Sequence, residues 1–426
     1  MRSLAPATLA IVLALAPAAV RAQHWTCTSH ASHHAIQLTA ATTFTPAAAG
    51  WDVLPPPESI TASGCSSAKS FFFSAPVAEG NYEVTVELGG NTPAVTTVKA
   101  EARRIMLARI ATAANQTTTE RFIVNVRVPQ IAGDGEVHRK PREMNSLDWD
   151  NKLTLEFAGD HPSVRSIAIR PAPAYTHTVY LAGDSTVVDQ DLEPWAAWGQ
   201  MLPAFFDSHI AIANNAESGE TIRSFESENR FAKIFSVIKP GDYLFFQFAH
   251  NDQKPGRGYV SPEQYTELLD KYIAKARAAG ATPVLVTSMN RRSFDATGHI
   301  TDTLAPYPET MRKVAQDQHV ALIDLNAMSK QLYEAIGEPH STSLFVYAPA
   351  NTYPNQPVAL HDDTHFNAYG AWELARCVVL GIQQDKLPLA KFLRPQPPFD
   401  PSHPDAASAV ALPQTPFFDA TKPYER

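Results

Sequence analysis

The chain has 426 residues, a net charge of -8, 18% charged and 44% hydrophobic residues, and three cysteines. The apolar share suits a packed core, and the length exceeds what one core of usual size holds, so two domains are expected. The acidic balance, with no basic run, argues against a nucleic-acid or anionic-membrane partner.

Met1-Arg2 precede an apolar run from Leu4 to Val20, which closes on Val20-Arg21-Ala22. A positive start, an apolar core and a small-residue end mark a secretory signal over residues 1–22 and a secreted or periplasmic product. A membrane anchor is the alternative, disfavoured by the short, Ala- and Pro-rich stretch. In an exported protein Cys27 and Cys65 can pair, although sequence does not fix pairing. Cys377 lies in an apolar, helix-like stretch and reads as an inert buried thiol. His24, Cys27, His30, His33 and His34 crowd the mature N-terminus. No acidic partner is near, and neither a metal nor a cofactor is expected.

Residues 23–172 carry a period of two. Tyr82, Val84, Val86 and Leu88 alternate with Glu83, Thr85 and Glu87, and Phe122, Val124, Val126 and Val128 share one face. Turn residues such as Gly89-Gly90-Asn91 and Gly133-Asp134-Gly135 separate the runs. The pattern predicts an all-β sandwich, similar in general pattern to galactose-binding-like jelly rolls, with glycan binding and plain structural support as equal readings. Arg170-Pro171-Ala172-Pro173-Ala174 reads as a stiff linker.

From residue 176 to 385 short apolar strands alternate with helical stretches. The strands are expected at Val179–Ala182, Ile210–Ala213, Tyr243–Phe248, Pro283–Thr287 and Ala321–Leu325. Helices are expected near Pro194–Phe206, Pro262–Ala279, Tyr307–Gln318, Ala327–Ile336 and Ala368–Gln384. Such alternation predicts an α/β fold, a three-layer α/β/α arrangement around a mostly parallel sheet. Ligands in such folds bind beyond the carboxyl ends of the strands. Residues 386–426 form a Pro-rich tail whose Phe392, Phe399, Phe417 and Phe418 either pack on the body or stay mobile.

Ser185 follows the first of these strands, in Gly183-Asp184-Ser185-Thr186. Asp362 and His365 follow far downstream, three residues apart and at the start of a helix-like segment. A serine at a strand end offers an exposed hydroxyl, and a histidine beside a carboxylate offers an oriented base. Asp363 is the competing orienter and should face away. Asp184 reads as a turn residue. Gly219 and Asn251 each follow a strand and can supply an unobstructed N–H and an amide NH₂ to a developing oxyanion. Arg223, His250, Arg291 and Arg292 are candidate substrate contacts, with structural or surface roles as the alternative.

Four blocks in this order resemble the SGNH (GDSL-type) hydrolases: Gly183-Asp184-Ser185, the segment from Asn214 to Phe225, Gln247-Phe248-Ala249-His250-Asn251-Asp252, and Asp362 with His365. Gly-Asp-Ser-Thr-Val, Trp198-Gly199-Gln200 and Phe-x-His-Asn-Asp are similar to the rhamnogalacturonan acetylesterase-like branch. The resemblance implies a flavodoxin-like hydrolase domain and a cofactor-free ping-pong mechanism. Ser185 would be nucleophile and oxyanion donor, Gly219 and Asn251 further oxyanion donors, His365 the base and Asp362 its orienter. It implies an exported O-acetylesterase acting on acetylated polysaccharide or oligosaccharide, with rhamnogalacturonan as substrate. Acetylxylan or broad short-chain esterase is the alternative among enzymes, and a non-catalytic carbohydrate-binding protein the alternative outside them. Two departures stand out: Ala249 replaces the family's glycine, and Glu217 and Glu220 make the second block acidic.

Overall fold

The computed structural model describes residues 22–28, 35–256, 258–419 and 421–423. Residues 1–21 of the expected signal, with His30, His33 and His34, lie outside them. Among the described residues no group of His, Cys, Asp or Glu could hold a metal ion. No helix among them is long and apolar enough to cross a membrane.

The N-terminal half builds two sheets. One runs Gln116–Val126, Gly80–Gly90, Ser163–Pro171, Gln23–Thr26 and Ile36–Gln37, with Ser59–Thr61 and Gly64–Ser66 attached. The other runs Gly50–Asp52, Phe71–Pro76, Lys152–Asp160, Ala94–Ala100 and Arg104–Thr112. The period of two explains the packing, since successive side chains leave opposite faces of a strand. Tyr82, Val84, Val86 and Leu88 join Phe71, Phe73, Leu155 and Phe157 of the other sheet in one apolar cluster. The Cys27–Cys65 disulfide closes a separation of 38 residues here, which in a loop-entropy account stabilises the fold by about 4 kcal/mol.

The other face of the Gln116–Val126 strand is also buried, at Ile123 and Asn125. A strand of an isolated domain would leave that face wet. Here it lies against the second half of the chain, where Arg104, wholly buried, sits between charges from both halves. Its Nη2 is 3.2 Å from Asp148 and its Nε 3.1 Å from Asp189. Arg127 reaches Asp148 at 2.8 Å. Asp189 follows Ser185 by four residues and accepts from Asn214 Nδ2 at 2.8 Å.

The second half is a five-stranded parallel sheet ordered Ile210–Asn214, His177–Gly183, Tyr243–Gln247, Thr282–Val286 and Ala321–Ile323. That is the flavodoxin-like order. Its strands read as continuous apolar runs because both faces are covered. Val179 and Leu181 enter one cluster with helices Leu325–Ile336 and Ala368–Gln384. Tyr180 and Ala182 enter another with helices Ile222–Ser227, Pro262–Ala278 and Tyr307–Gln318.

Two expectations need correction. The helix expected over Pro194–Phe206 shrinks to Trp198–Met201 and a 3₁₀ turn, Leu202–Phe205. A glycine and a proline inside that short stretch weaken a longer helix. Asp362 and His365 do not open a helix. They lie in the strand Leu360–Phe366, which pairs antiparallel with Phe345–Ala348. The tail packs its aromatics, with Phe417 5.9 Å from Phe72 and Phe418 stacked on Tyr353 at 5.4 Å.

Replacing Arg104 by Met should leave Asp148 and Asp189 buried with less counter-charge, a loss of about 3–5 kcal/mol. Denaturant unfolding measures it, and a loss below about 1 kcal/mol would show that the network does not hold the halves together.

Candidate active site

Ser185 lies just beyond the carboxyl end of the strand His177–Gly183, which pairs on both sides within the parallel sheet. The turn is tight, because a Cβ on Gly183 would come within 2.5 Å of Val187 Cγ2. Asp184 holds the turn by accepting from the Thr186 N–H at 2.9 Å and its hydroxyl at 2.7 Å. It is a turn residue, as its position suggested. Trp198 and Gln247 brace the same turn: the indole donates to Gln247 Oε1 at 2.6 Å, and Gln247 Nε2 donates to Thr186 Oγ1 at 2.7 Å.

His365 Nε2 is 2.8 Å from Ser185 Oγ, and His365 Nδ1 is 2.9 Å from Asp362 Oδ2. All three side chains are buried. In a regular strand, residues three apart point to opposite faces. The register breaks here: Val346 pairs with Asp362 and Phe345 with Phe366, so residues 363–365 bulge from the ladder. Asp362 Oδ1 closes the bulge by accepting the N–H groups of Thr364 at 2.8 Å and His365 at 3.0 Å. Burial alone would raise this carboxyl. The hydrogen bond and charge of His365, with those two N–H groups, hold it below its ordinary value. It therefore stays an acceptor and fixes the ring with Nε2 toward the hydroxyl. Asp363 does face away, accepting from Arg292 and from the Tyr347 hydroxyl.

Gly219 has φ +80°, and a Cβ there would meet nothing closer than 3.8 Å. Its glycine is required by conformation rather than by space. Asn251 is held at both ends: Nδ2 donates to the Glu220 carbonyl at 3.0 Å, and Oδ1 accepts from Lys254 Nζ at 2.8 Å. An amide nitrogen carries two hydrogens, so one remains for a substrate oxygen. Ala249 has φ 157°, so the third block keeps a glycine-type backbone with a methyl on it.

The acidic second block is balanced from the N-terminal half. Lys140 pairs with Glu220, and Arg142 Nε donates to Glu217 Oε1 at 2.6 Å. Both cations also donate to the Ser218 carbonyl. Sequence reasoning missed them because no local pattern links residues about 75 apart in the chain. Lys254 could have been found, since a lysine three residues after an asparagine in a turn can reach it.

The expected substrate contacts fare differently. Arg223 donates to Gln264 on the Pro262–Ala278 helix. His250 is 2% exposed, and burial, with Arg291 nearby, pushes its ring well below the ordinary histidine value. The ring is enclosed as deeply as Ser185 and His365 beside it. Arg291 donates to the His250 carbonyl at 3.1 Å and to Thr303 Oγ1 at 3.2 Å. Arg292 spends all three nitrogens, on Ser341 Oγ, Asp363 and the Glu338 carbonyl. It buttresses the Asp362–His365 bulge, and its planar fork is committed there.

A hydroxyl, an imidazole and a carboxylate joined in series, with N–H donors beside them, make the geometry of a serine hydrolase. The GDSL-like Lipase/Acylhydrolase family model matches residues 181–372. Rhamnogalacturonan acetylesterase RhgT of Bacillus subtilis is 43% identical over 217 residues, 50% of this chain and 93% of that protein. YesY of the same organism, named as a probable rhamnogalacturonan acetylesterase, is 35% identical over 218 residues, 50% of this chain and 95% of that protein. The crystal structure of YxiM from Bacillus subtilis is 23% identical and covers 86% of this chain and 99% of that one, with a TM-score of 0.47. The chain belongs to the GDSL-like lipase and acylhydrolase family, among the rhamnogalacturonan acetylesterase-like members. It is a carboxylic ester hydrolase.

Lys254 fixes which end of the Asn251 amide faces the site. Lys254→Met should lower kcat on p-nitrophenyl acetate by about tenfold with KM nearly unchanged, less than the ~10²–10³ for deleting an oxyanion donor outright. A change confined to KM would show that the lysine serves substrate binding instead.

Proposed function

We propose that the chain is an exported serine O-acetylesterase that deacetylates plant cell-wall polysaccharide, with acetylated rhamnogalacturonan as its substrate. The observation that carries the reading is the continuous Ser185–His365–Asp362 relay at the carboxyl end of the sheet. The polymer is suggested by the 43% identity to RhgT over 93% of that protein. Export rests on the apolar leader-like run from Leu4 to Val20. The two N-terminal sheets are read as a jelly-roll-like sandwich of galactose-binding type, because they face each other across one apolar cluster.

Ser185 Oγ attacks the acetyl carbonyl while His365 Nε2 takes the hydroxyl proton. The carbonyl π electrons move onto oxygen, where the N–H groups of Ser185 and Gly219 and the amide of Asn251 receive them. The tetrahedral species collapses, the C–O bond to the sugar breaks, and His365 returns its proton to the sugar oxygen. Water then attacks the acetyl-enzyme, giving its proton to His365. Acetate leaves and the proton returns to Ser185. Asp362 stays ionised throughout and stabilises the imidazolium.

Acetate release from acetylated rhamnogalacturonan and from acetylated xylan tests the reading. The wild type should act faster on the former, and Ser185→Ala should lose about 10⁴-fold or more on both. Faster release from xylan would overturn the substrate. Activity of Ser185→Ala within tenfold of wild type would overturn the nucleophile.

A further inference from the structure

A cavity of about 290 Å³ adjoins the relay on the side of the N-terminal sheets. Its walls include Arg142 and Asn145 from around the 3₁₀ turn Pro141–Asn145, Asp191 and Trp195 from the stretch after Ser185, and Glu217. Thr421 and Pro423 of the tail also line it. Two contacts and one chain neighbour tie it to the residues of the site. The Trp195 ring meets the His365 ring edge-on at 5.8 Å. Gln190, which lines the cavity, donates to the Ser185 carbonyl at 2.8 Å. Ser218, also in the wall, precedes Gly219.

We propose that this cavity is a subsite for one neutral pyranose of the substrate chain, the sugar next to the acetylated one. The inference rests on the carbohydrate-esterase reading above and adds the sugar's place and charge. An indole beside carboxyls and amides suits a sugar ring, whose C–H face packs on the aromatic and whose hydroxyls need donors and acceptors. The volume falls at the low end of small-molecule sites, ~300–1,000 Å³, which fits one ring rather than a chain segment.

Charge decides between a neutral sugar and a uronate. Arg142 is the cation among the lining residues, and it is already held by Glu217 at 2.6 Å and by the Ser218 carbonyl. Asp189, Asp191 and Glu217 also line the cavity. Burial lifts Asp191 to about 7 and Glu217 to about 6. Among the described lining residues, a carboxylate ligand would meet three carboxyls and one cation that Glu217 already holds. The subsite also belongs to more than the hydrolase half. It joins Arg142 to Pro423, a longer stretch than the 217 residues matched to RhgT. Part of its wall therefore lies outside that match.

Asn145 is exposed at the rim, so Asn145→Trp narrows the cavity with little risk to folding, and Asp191→Asn changes its chemistry without changing its shape. Kinetics on an acetylated disaccharide and on p-nitrophenyl acetate separate the outcomes. Each variant should lose about tenfold more kcat/KM on the disaccharide than on the small ester, with the loss in KM. Free galactose should inhibit the wild type on the disaccharide more strongly than free galacturonate does. Equal losses on both substrates, or no loss, would overturn the subsite while leaving the esterase reading intact. Stronger inhibition by galacturonate would overturn the neutral-sugar assignment. A wild type that releases acetate from p-nitrophenyl acetate but from no acetylated oligosaccharide would overturn the carbohydrate reading on which the subsite rests.

Discussion

A guanidinium taken wholly out of water must carry its counter-charges with it, and Arg104 finds them only where the two halves of the chain meet. Asp148 comes from the N-terminal half and Asp189 from the stretch after Ser185. The same junction adds Arg103, which donates to the carbonyls of Gln190 and Trp195 at 2.9 Å each. Gln200 donates across it to the Ala102 carbonyl at 2.9 Å. These bonds fix the backbone between Ser185 and Trp195 from one side, while Asn214 and the parallel sheet fix it from the other. Removing one member leaves buried charge behind, which is why such networks are stiff rather than merely stabilising.

That stiffness has an electrostatic use. The second block places Glu217 and Glu220 within two residues of Gly219, where the proposed mechanism develops negative charge. Left unpaired, they would oppose it. Lys140 and Arg142 neutralise both, and they can do so only because the N-terminal half is docked in one orientation. The acidic block is thus not a defect of the hydrolase half but one side of an ion-paired seam. In the proposed mechanism the oxyanion donors would then work beside balanced, buried charges, the condition under which fixed dipoles are most effective.

Local signals were legible in the sequence and long-range ones were not. The parallel strands and the helices Tyr307–Gln318 and Ala368–Gln384 follow from apolar runs and period, and they stand where those patterns put them. Ser185, Asp362 and His365 were visible as residue types in an ordered set of blocks, and the structure brings their side chains into one chain of hydrogen bonds. The form of their support was not visible. Leu360-His361-Asp362-Asp363-Thr364 has too many polar residues to read as a strand, and only pairing with Phe345–Ala348 makes it one. Arg291 and Arg292 looked like substrate readers because they follow a strand. Arg292 spends its nitrogens on Glu338, Ser341 and Asp363, and Arg291 donates to the His250 carbonyl and Thr303, partners that no spacing rule connects to them. The enclosure of His250 was not legible either, since burial depends on what the whole fold lays over a residue.

The central claim is that the ester's acyl group passes through Ser185. Rapid acid quench of the enzyme during turnover of p-nitrophenyl acetate, followed by mass analysis of its peptides, tests it directly. The peptide containing Ser185 should gain one acetyl group during turnover and lose it once substrate is exhausted. Full-rate acetate release with that peptide never acetylated, or with the acetyl group on another residue, would contradict the account.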